Sequence, residues 1–354
     1  MDIKTLIRKE VLAQPGYRVD TTSCHIKMDA MESPFTMPLF LKEELSHEMK
    51  NVSLNRYPEP GAPAIRKRFA EHYGVDADMM MIGNGSDELI QILCTALIDS
   101  SSAVVVPFPT FVMYRIIAVN TGRTVIEVPL DGAFDLDIEA ILTHTAMKSP
   151  VLIFLSYPNN PTGNCFSPDK IKTLIEKSQG LVVIDEAYGS FSGKTLVPWL
   201  KKYDNLVILK TLSKVGLAAM RTGFLIGAPH LINELDKIRL PYNINSLSQV
   251  AAGFYLDHMD LFSEQTQELI KSREELFNAL QKIEGIKPSP SKANFIFFSC
   301  DFDTDSVYRG LIQEGVLIKN LNGPGVLRNC MRVTVGTREE NEEFLKALKK
   351  VLFK

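Results

Sequence analysis

The chain is expected to adopt an α/β fold, with a large, mostly parallel sheet domain and a smaller α/β domain towards the carboxyl terminus. Two observations predict the sheet. Short runs rich in Val and Ile recur through the middle of the chain: AVVVPFP, TVIEVPL, VLIFLSYP, LVVIDEAY, NLVILKT and GFLIGAP. Each ends at a turn residue, and helical stretches such as SPDKIKTLIEKSQ lie between several of them. Runs that are apolar on both faces and separated by helices belong to parallel sheets covered on both sides. A third observation predicts the second domain: after Pro241 the texture changes to a long helical region followed by alternating strands and helices.

Taken in order, residues 1 to about 35 read as a short helix and an irregular arm containing Pro15, Gly16 and Pro34. Charge and apolar spacing predict a helix from Pro38 to about Asn51, which RYPEPGAP interrupts with turn chemistry. A second helix is expected over Ala64 to Tyr73, and MMIGNGSDELIQILCTALI supplies a short apolar piece, a Gly-rich turn and a helix. Beyond the six runs, residues 248 to 283 read as helical. KANFIFFS, a helix, VLIKNL, MRVTVGT and a closing helix from Glu339 complete the chain. The expected division is an arm over 1–35 that packs with the small domain, a large domain over 36–245 and a small domain over 246–354.

Composition narrows the function. At 354 residues, 45% hydrophobic and 23% charged, the chain suits one large and one smaller core of an ordinary globular protein. A formal net charge of -3 offers no global basic field to nucleic acid or an anionic membrane. Cys24, Cys94, Cys165, Cys300 and Cys330 are odd in number, scattered and free of any CxxC pair, which argues against a disulfide framework and a zinc site. That usage favours a reducing cytoplasm. The amino terminus has no continuous apolar core of a signal peptide, and no apolar run approaches bilayer-spanning length.

Four polar clusters fall at the ends of expected buried strands. GNGSDE, residues 83–88, opens a helix, and such a turn exposes backbone N–H groups that suit a phosphate. SYPNNPTGNCF follows the run VLIFLS; turn composition explains Pro161 and Gly163, but not Asn160 just beyond a buried strand end. Asp185 follows four apolar residues, and an unpaired carboxylate there costs several kcal/mol. A structural Arg or Lys would serve as its partner, and so would a protonated pyridine nitrogen. Tyr188, three residues on, could reach an oxygen on the same ring. Lys214 sits in a Ser/Thr turn among Leu212, Val215, Gly216 and Leu217, where desolvation lowers an amine pKa. Thr211, Ser213 and Arg221 supply donors for a phosphate dianion.

The ordered set Gly85-Ser86-Asp87, Asn160-Pro161-Thr162-Gly163, Asp185-x-x-Tyr188, Ser213-Lys214 and Arg221 resembles that of the fold-type I pyridoxal-phosphate (PLP) enzymes, the aspartate-aminotransferase-like family. The resemblance covers almost the whole chain. Within that family MDAMESPF, RYPEPG, GNGSDELI, SYPNNPTG, TLSKVGLAAMRTGF, PYNINSLSQ, ANFIFF and MRVTVGTREEN look most like the histidinol-phosphate aminotransferase branch.

The resemblance implies an enzyme that holds pyridoxal 5′-phosphate as a Schiff base on Lys214, which also shuttles the substrate proton. It implies that Asp185 pairs with the pyridinium nitrogen, that Tyr188 and Asn160 bond the ring oxygen, and that Phe111 stacks on the ring. Gly85, Ser86, Asp87, Thr211, Ser213 and Arg221 would hold the 5′-phosphate. Tyr57 would reach the phosphate of a neighbouring subunit, making the active unit a homodimer. Tyr17, Asn160, Lys319 and Arg332 would meet the substrate. Lys319 stands where the branch usually has a second arginine, and Met31 where many relatives have asparagine. The implied reaction, a step of histidine biosynthesis, is L-histidinol phosphate with 2-oxoglutarate. An aromatic-amino-acid aminotransferase and a threonine-phosphate decarboxylase share the fold and remain alternatives.

Overall fold

The computed structural model describes residues 1–16, 20–96, 102–147 and 150–353. Among them twelve strands form two sheets: β1 Ile26–Met28, β2 Met80–Asn84, β3 Ala103–Phe108, β4 Thr124–Pro129, β5 Pro150–Ser156, β6 Leu181–Asp185, β7 Leu206–Thr211, β8 Thr222–Ile226, β9 Ile286–Pro288, β10 Phe295–Cys300, β11 Val316–Asn320 and β12 Cys330–Thr334. The larger sheet runs β2-β8-β7-β6-β5-β3-β4, and the smaller β1-β11-β12-β10-β9.

All six Val/Ile-rich runs are strands of the larger sheet, and the short apolar piece MMIGN is its seventh. β3, β5, β6 and β7 pair in parallel, with β4 parallel to β3, whereas β8 is antiparallel to both its neighbours. One apolar core, with Phe69, Ile153, Ile184 and Phe224, fills one face of this sheet. A second, with Leu89, Tyr114, Phe154 and Leu209, fills the other. Double coverage is why the central strands carry no polar alternation. TVIEVP departs from that pattern: it is the edge strand β4, where only Val128 is buried, so its alternate side chains meet solvent.

The smaller sheet is mixed. β1 is parallel to β11, and β12 is antiparallel to β10 and β11. Its core holds Ile296, Phe298, Leu311 and Phe344. The helical region 248–283 is two helices, Ser246–Asp257 and Met259–Leu280, parted by His258 at φ -121° and ψ 28°. The first packs through Ala251 and Phe254 against Leu41 and Leu45. The second places Phe262 in the core of the larger sheet and Leu276 and Leu280 in that of the smaller. β5, β6 and β7 end together, at Ser156, Asp185 and Thr211, and parallel sheets present ligand sites at that edge.

Candidate active site

Asp185 closes β6 and is almost fully buried. Its Oδ2 accepts from the Tyr114 hydroxyl at 2.7 Å and its Oδ1 from the Ala187 backbone N–H at 3.0 Å. Neither donor is a cation. Burial pushes the Asp185 pKa up from 3.8 to about 6, against the pull of both hydrogen bonds.

Lys214 lies in the irregular turn Ser213–Leu217, which Gly216 carries through φ +103°. Its Nζ donates to the Ala30 carbonyl at 3.4 Å and stands 5.7 Å from the Tyr188 ring centroid. Desolvation lowers its pKa to about 8, and the Arg332 charge pushes the same way. The lysine four residues earlier differs in kind: Lys210 Nζ lies 2.6 Å from the buried Glu186 carboxylate.

A chain of side chains joins this turn to the smaller sheet. Asn160 Nδ2 donates to the Tyr188 hydroxyl at 3.2 Å, and burial raises the Tyr188 pKa, so the phenol stays protonated. Arg332 of β12 is buried; its Nη1 donates to Asn160 Oδ1 and its Nη2 to the Asp29 carbonyl at 2.8 Å. Phe295 supports both residues, edge-on to Tyr188 at 5.1 Å and under the Arg332 guanidinium at 5.3 Å.

On the other side of Lys214, hydroxyls and one guanidinium converge. Thr211 Oγ1 and Ser213 Oγ are 3.0 Å apart, and Arg221 Nη1 donates to Ser213 Oγ at 3.3 Å. Arg221 Nη2 lies 3.5 Å from the Asp87 carboxylate, so Asp87 offers an anionic site its backbone and not its side chain. Gly85 turns at φ +79°, and a Cβ there would stand 2.5 Å from Arg221 Nη2.

Ser86, Asp87, Phe111, Asp185, Tyr188, Thr211, Ser213, Lys214 and Arg221 thus line one pocket, together with Ser156 and Ala187. A cavity of about 240 Å³ adjoins it at Phe111 and is lined by Met31, Asn160, Lys319 and Arg332. Lys319 and Arg332 are cross-strand partners on β11 and β12. Tyr57 is not among the residues lining either space: it is 79% exposed, stacked on Tyr242 at 4.4 Å. Tyr17 lies outside the described residues. Sequence reasoning missed Tyr114, which reads as one more apolar residue of MYRIIAVN; only the fold shows its hydroxyl to be fully buried, where a Tyr finds a partner.

The fold and this pocket define an enzyme of the PLP-transferase type. Residues 26–348 match the family model for aminotransferase class I and II, and the chain belongs to that family. It is 46% identical over 346 residues to histidinol-phosphate aminotransferase 2 of Nitrosococcus oceani, covering 97% of this chain and 96% of the relative. Identity to histidinol-phosphate aminotransferase of Aquifex aeolicus is 39% over 345 residues, 97% of each chain. The crystal structure of histidinol-phosphate aminotransferase from Sinorhizobium meliloti in complex with pyridoxal-5′-phosphate superposes with a TM-score of 0.89 at 21% identity. That match covers 98% of this chain and 97% of the other, and it speaks for the fold.

The protein is therefore an aminotransferase that works with pyridoxal 5′-phosphate. The pocket suits that group. A buried carboxylate with only neutral donors accommodates a ring cation, and clustered hydroxyls with a guanidinium accommodate a phosphate. Among the described residues no helix is long and apolar enough to cross a membrane.

Proposed function

We propose that this enzyme transfers the amino group of L-histidinol phosphate to 2-oxoglutarate, giving imidazole-acetol phosphate and L-glutamate, as a cytoplasmic homodimer of histidine biosynthesis. The observation that carries the reading is the joint placement of Lys214 and Arg332. One desolvated amine faces the cofactor pocket, and one buried guanidinium lines the cavity that adjoins it.

Bound in the pocket, the cofactor supplies an electron sink for the carbon that loses its proton. Asp185 would hold its ring nitrogen, Tyr188 and Asn160 its ring oxygen, and Phe111 its ring face. Ser86, Thr211, Ser213, Arg221 and the backbone of Gly85 to Asp87 would hold its phosphate. Lys214 anchors the cofactor, and desolvation, which brings its pKa down from 10.5 to about 8, favours the neutral Nζ that takes the proton from the amine-bearing carbon. Arg332 and Lys319 orient the substrate by its phosphate; Lys319 does so as a point charge without a bidentate fork. Because Arg332 also donates to Asn160, substrate position and ring-oxygen contacts are set by one side chain.

On this reading residues 36–245 are the large unit and 246–354 the small one. Arm 1–35 joins the small unit, which the pairing of β1 with β11 supports. Tyr57 completes the phosphate site of a second copy, in keeping with its exposure.

Incubating the enzyme with histidinol phosphate and 2-oxoglutarate should yield glutamate without CO2. CO2 release from threonine phosphate would favour the decarboxylase reading instead. Arg332→Ala should weaken histidinol phosphate binding by about 2–5 kcal/mol while changing cofactor affinity far less. Equal losses of both would remove Arg332 from the substrate site.

A further inference from the structure

The cavity beside the cofactor pocket is lined from both sheets. Lys319 and Arg332 of the smaller sheet supply its cationic end. From the larger sheet come the apolar Val106 and Phe108 of β3 and, beside them in the lining, Arg115 and Glu127. Glu127 lies opposite Val106 in the β3/β4 register, and Val106 packs in one core with Tyr114 and Ile117. Glu127 therefore emerges on the sheet face that carries helix Met113–Asn120, the helix of Arg115.

Arg115 Nε is 3.5 Å from Glu127 Oε1, a single contact between side chains 50% and 41% exposed. Such pairs contribute at most about 1 kcal/mol, so either partner is readily recruited elsewhere. Glu127 is the one carboxylate among the described residues lining the cavity.

Transamination brings two unlike amino donors into this cavity in turn. Both have an anionic group for the Lys319 and Arg332 end, a phosphate in one and an α-carboxylate in the other. Their far ends conflict: one is a flat imidazole with an N–H to donate, the other a carboxylate. A fixed acid would repel the carboxylate, and a fixed base would leave the imidazole N–H without an acceptor.

Resting on the function proposed above, we propose that Arg115 and Glu127 form an exchangeable pair that lets one cavity read both side chains. With the phosphorylated amino alcohol bound, Glu127 accepts the imidazole N–H while the ring lies on Val106 and Phe108. With glutamate or 2-oxoglutarate bound, Arg115 turns from Glu127 to the distal carboxylate. The pair closes on itself between substrates, so neither charge is left without a counterion.

The test follows the two half-reactions of the holoenzyme separately. Glu127→Gln should lower kcat/KM for histidinol phosphate about 10- to 100-fold more than for glutamate, the span expected for one charge-assisted hydrogen bond. Arg115→Met should show the opposite preference. Calorimetric titration with glutarate, a dicarboxylate that cannot react, reads the Arg115 contact without chemistry. Its Kd should rise about tenfold or more in Arg115→Met and fall or hold in Glu127→Gln. Losses equal for both donors, or no losses, would overturn the proposal and leave the pair as a tie between helix and strand. Failure of the wild-type enzyme to react with histidinol phosphate would instead overturn the functional reading, and the glutarate titration would still decide the part of Arg115.

Discussion

The Tyr114 hydroxyl donates a 2.7 Å hydrogen bond to Asp185 Oδ2, and both side chains are buried. Burial raises the Tyr114 pKa well above its usual value, so the phenol is a donor throughout the working pH range. Asp185 is thus held as an acceptor in a place where its charge is unfavourable.

The consequence is a specific pH dependence of the cofactor-free protein. The folded pKa of Asp185, about 6, lies above its ordinary 3.8, so the folded chain binds this proton more tightly than the unfolded one. Stability is therefore lost as pH rises from near 4 through 6, by about 3 kcal/mol in all. Asp185→Asn removes the titration yet keeps an oxygen for Tyr114. Its apoprotein should unfold at a higher temperature than wild-type apoprotein at pH 8 and not at pH 4, and added PLP should reverse the order at pH 8. Thermal unfolding with and without cofactor measures this; parallel pH profiles for the two proteins would contradict it.

Gly85→Ala should damage the phosphate end more than the fold. Its φ of +79° strains any L side chain, and the new Cβ would displace the Arg221 guanidinium. The displaced guanidinium should appear as PLP affinity weakened by about tenfold or more in equilibrium dialysis, about 1.4 kcal/mol or more. Gly132, with nothing within 4 Å of its Cβ position, serves as the control and should tolerate Ala.

Much of this site was legible in the sequence, because Asp185, Asn160 and Lys214 each stand at or just past a buried strand end, where a polar residue demands a reason. The distinction between Lys214 and Lys210 was legible only in part. The run NLVILKT does not reveal that Lys210 points to the opposite side and pairs with Glu186. Tyr114 was hidden because its ring obeys the helical apolar pattern while its hydroxyl makes the bond to Asp185. In the fold, β1 and β9 escaped because three-residue strands take their stability from a neighbouring strand and leave no periodicity of their own. The break at His258 has no Pro or Gly to announce it.

Tyr57 makes a prediction about assembly. In the proposed homodimer its exposed ring, stacked on Tyr242, would meet the second subunit. Mixing Tyr57→Ala subunits with Lys214→Ala subunits should produce heterodimers with one intact site each. Half of the dimers would be mixed, so activity should recover to about a quarter of wild type at most. Activity no greater than the sum of the two separate variants would contradict a shared site.

Lys214 is the residue proposed to carry the cofactor, and reduction of the holoenzyme with borohydride followed by peptide mass spectrometry locates that attachment. The label should sit on the peptide containing Lys214, and Lys214→Ala protein should give no labelled peptide. Label on Lys210 or Lys319 in the wild type, or label persisting in Lys214→Ala, would take that role from Lys214.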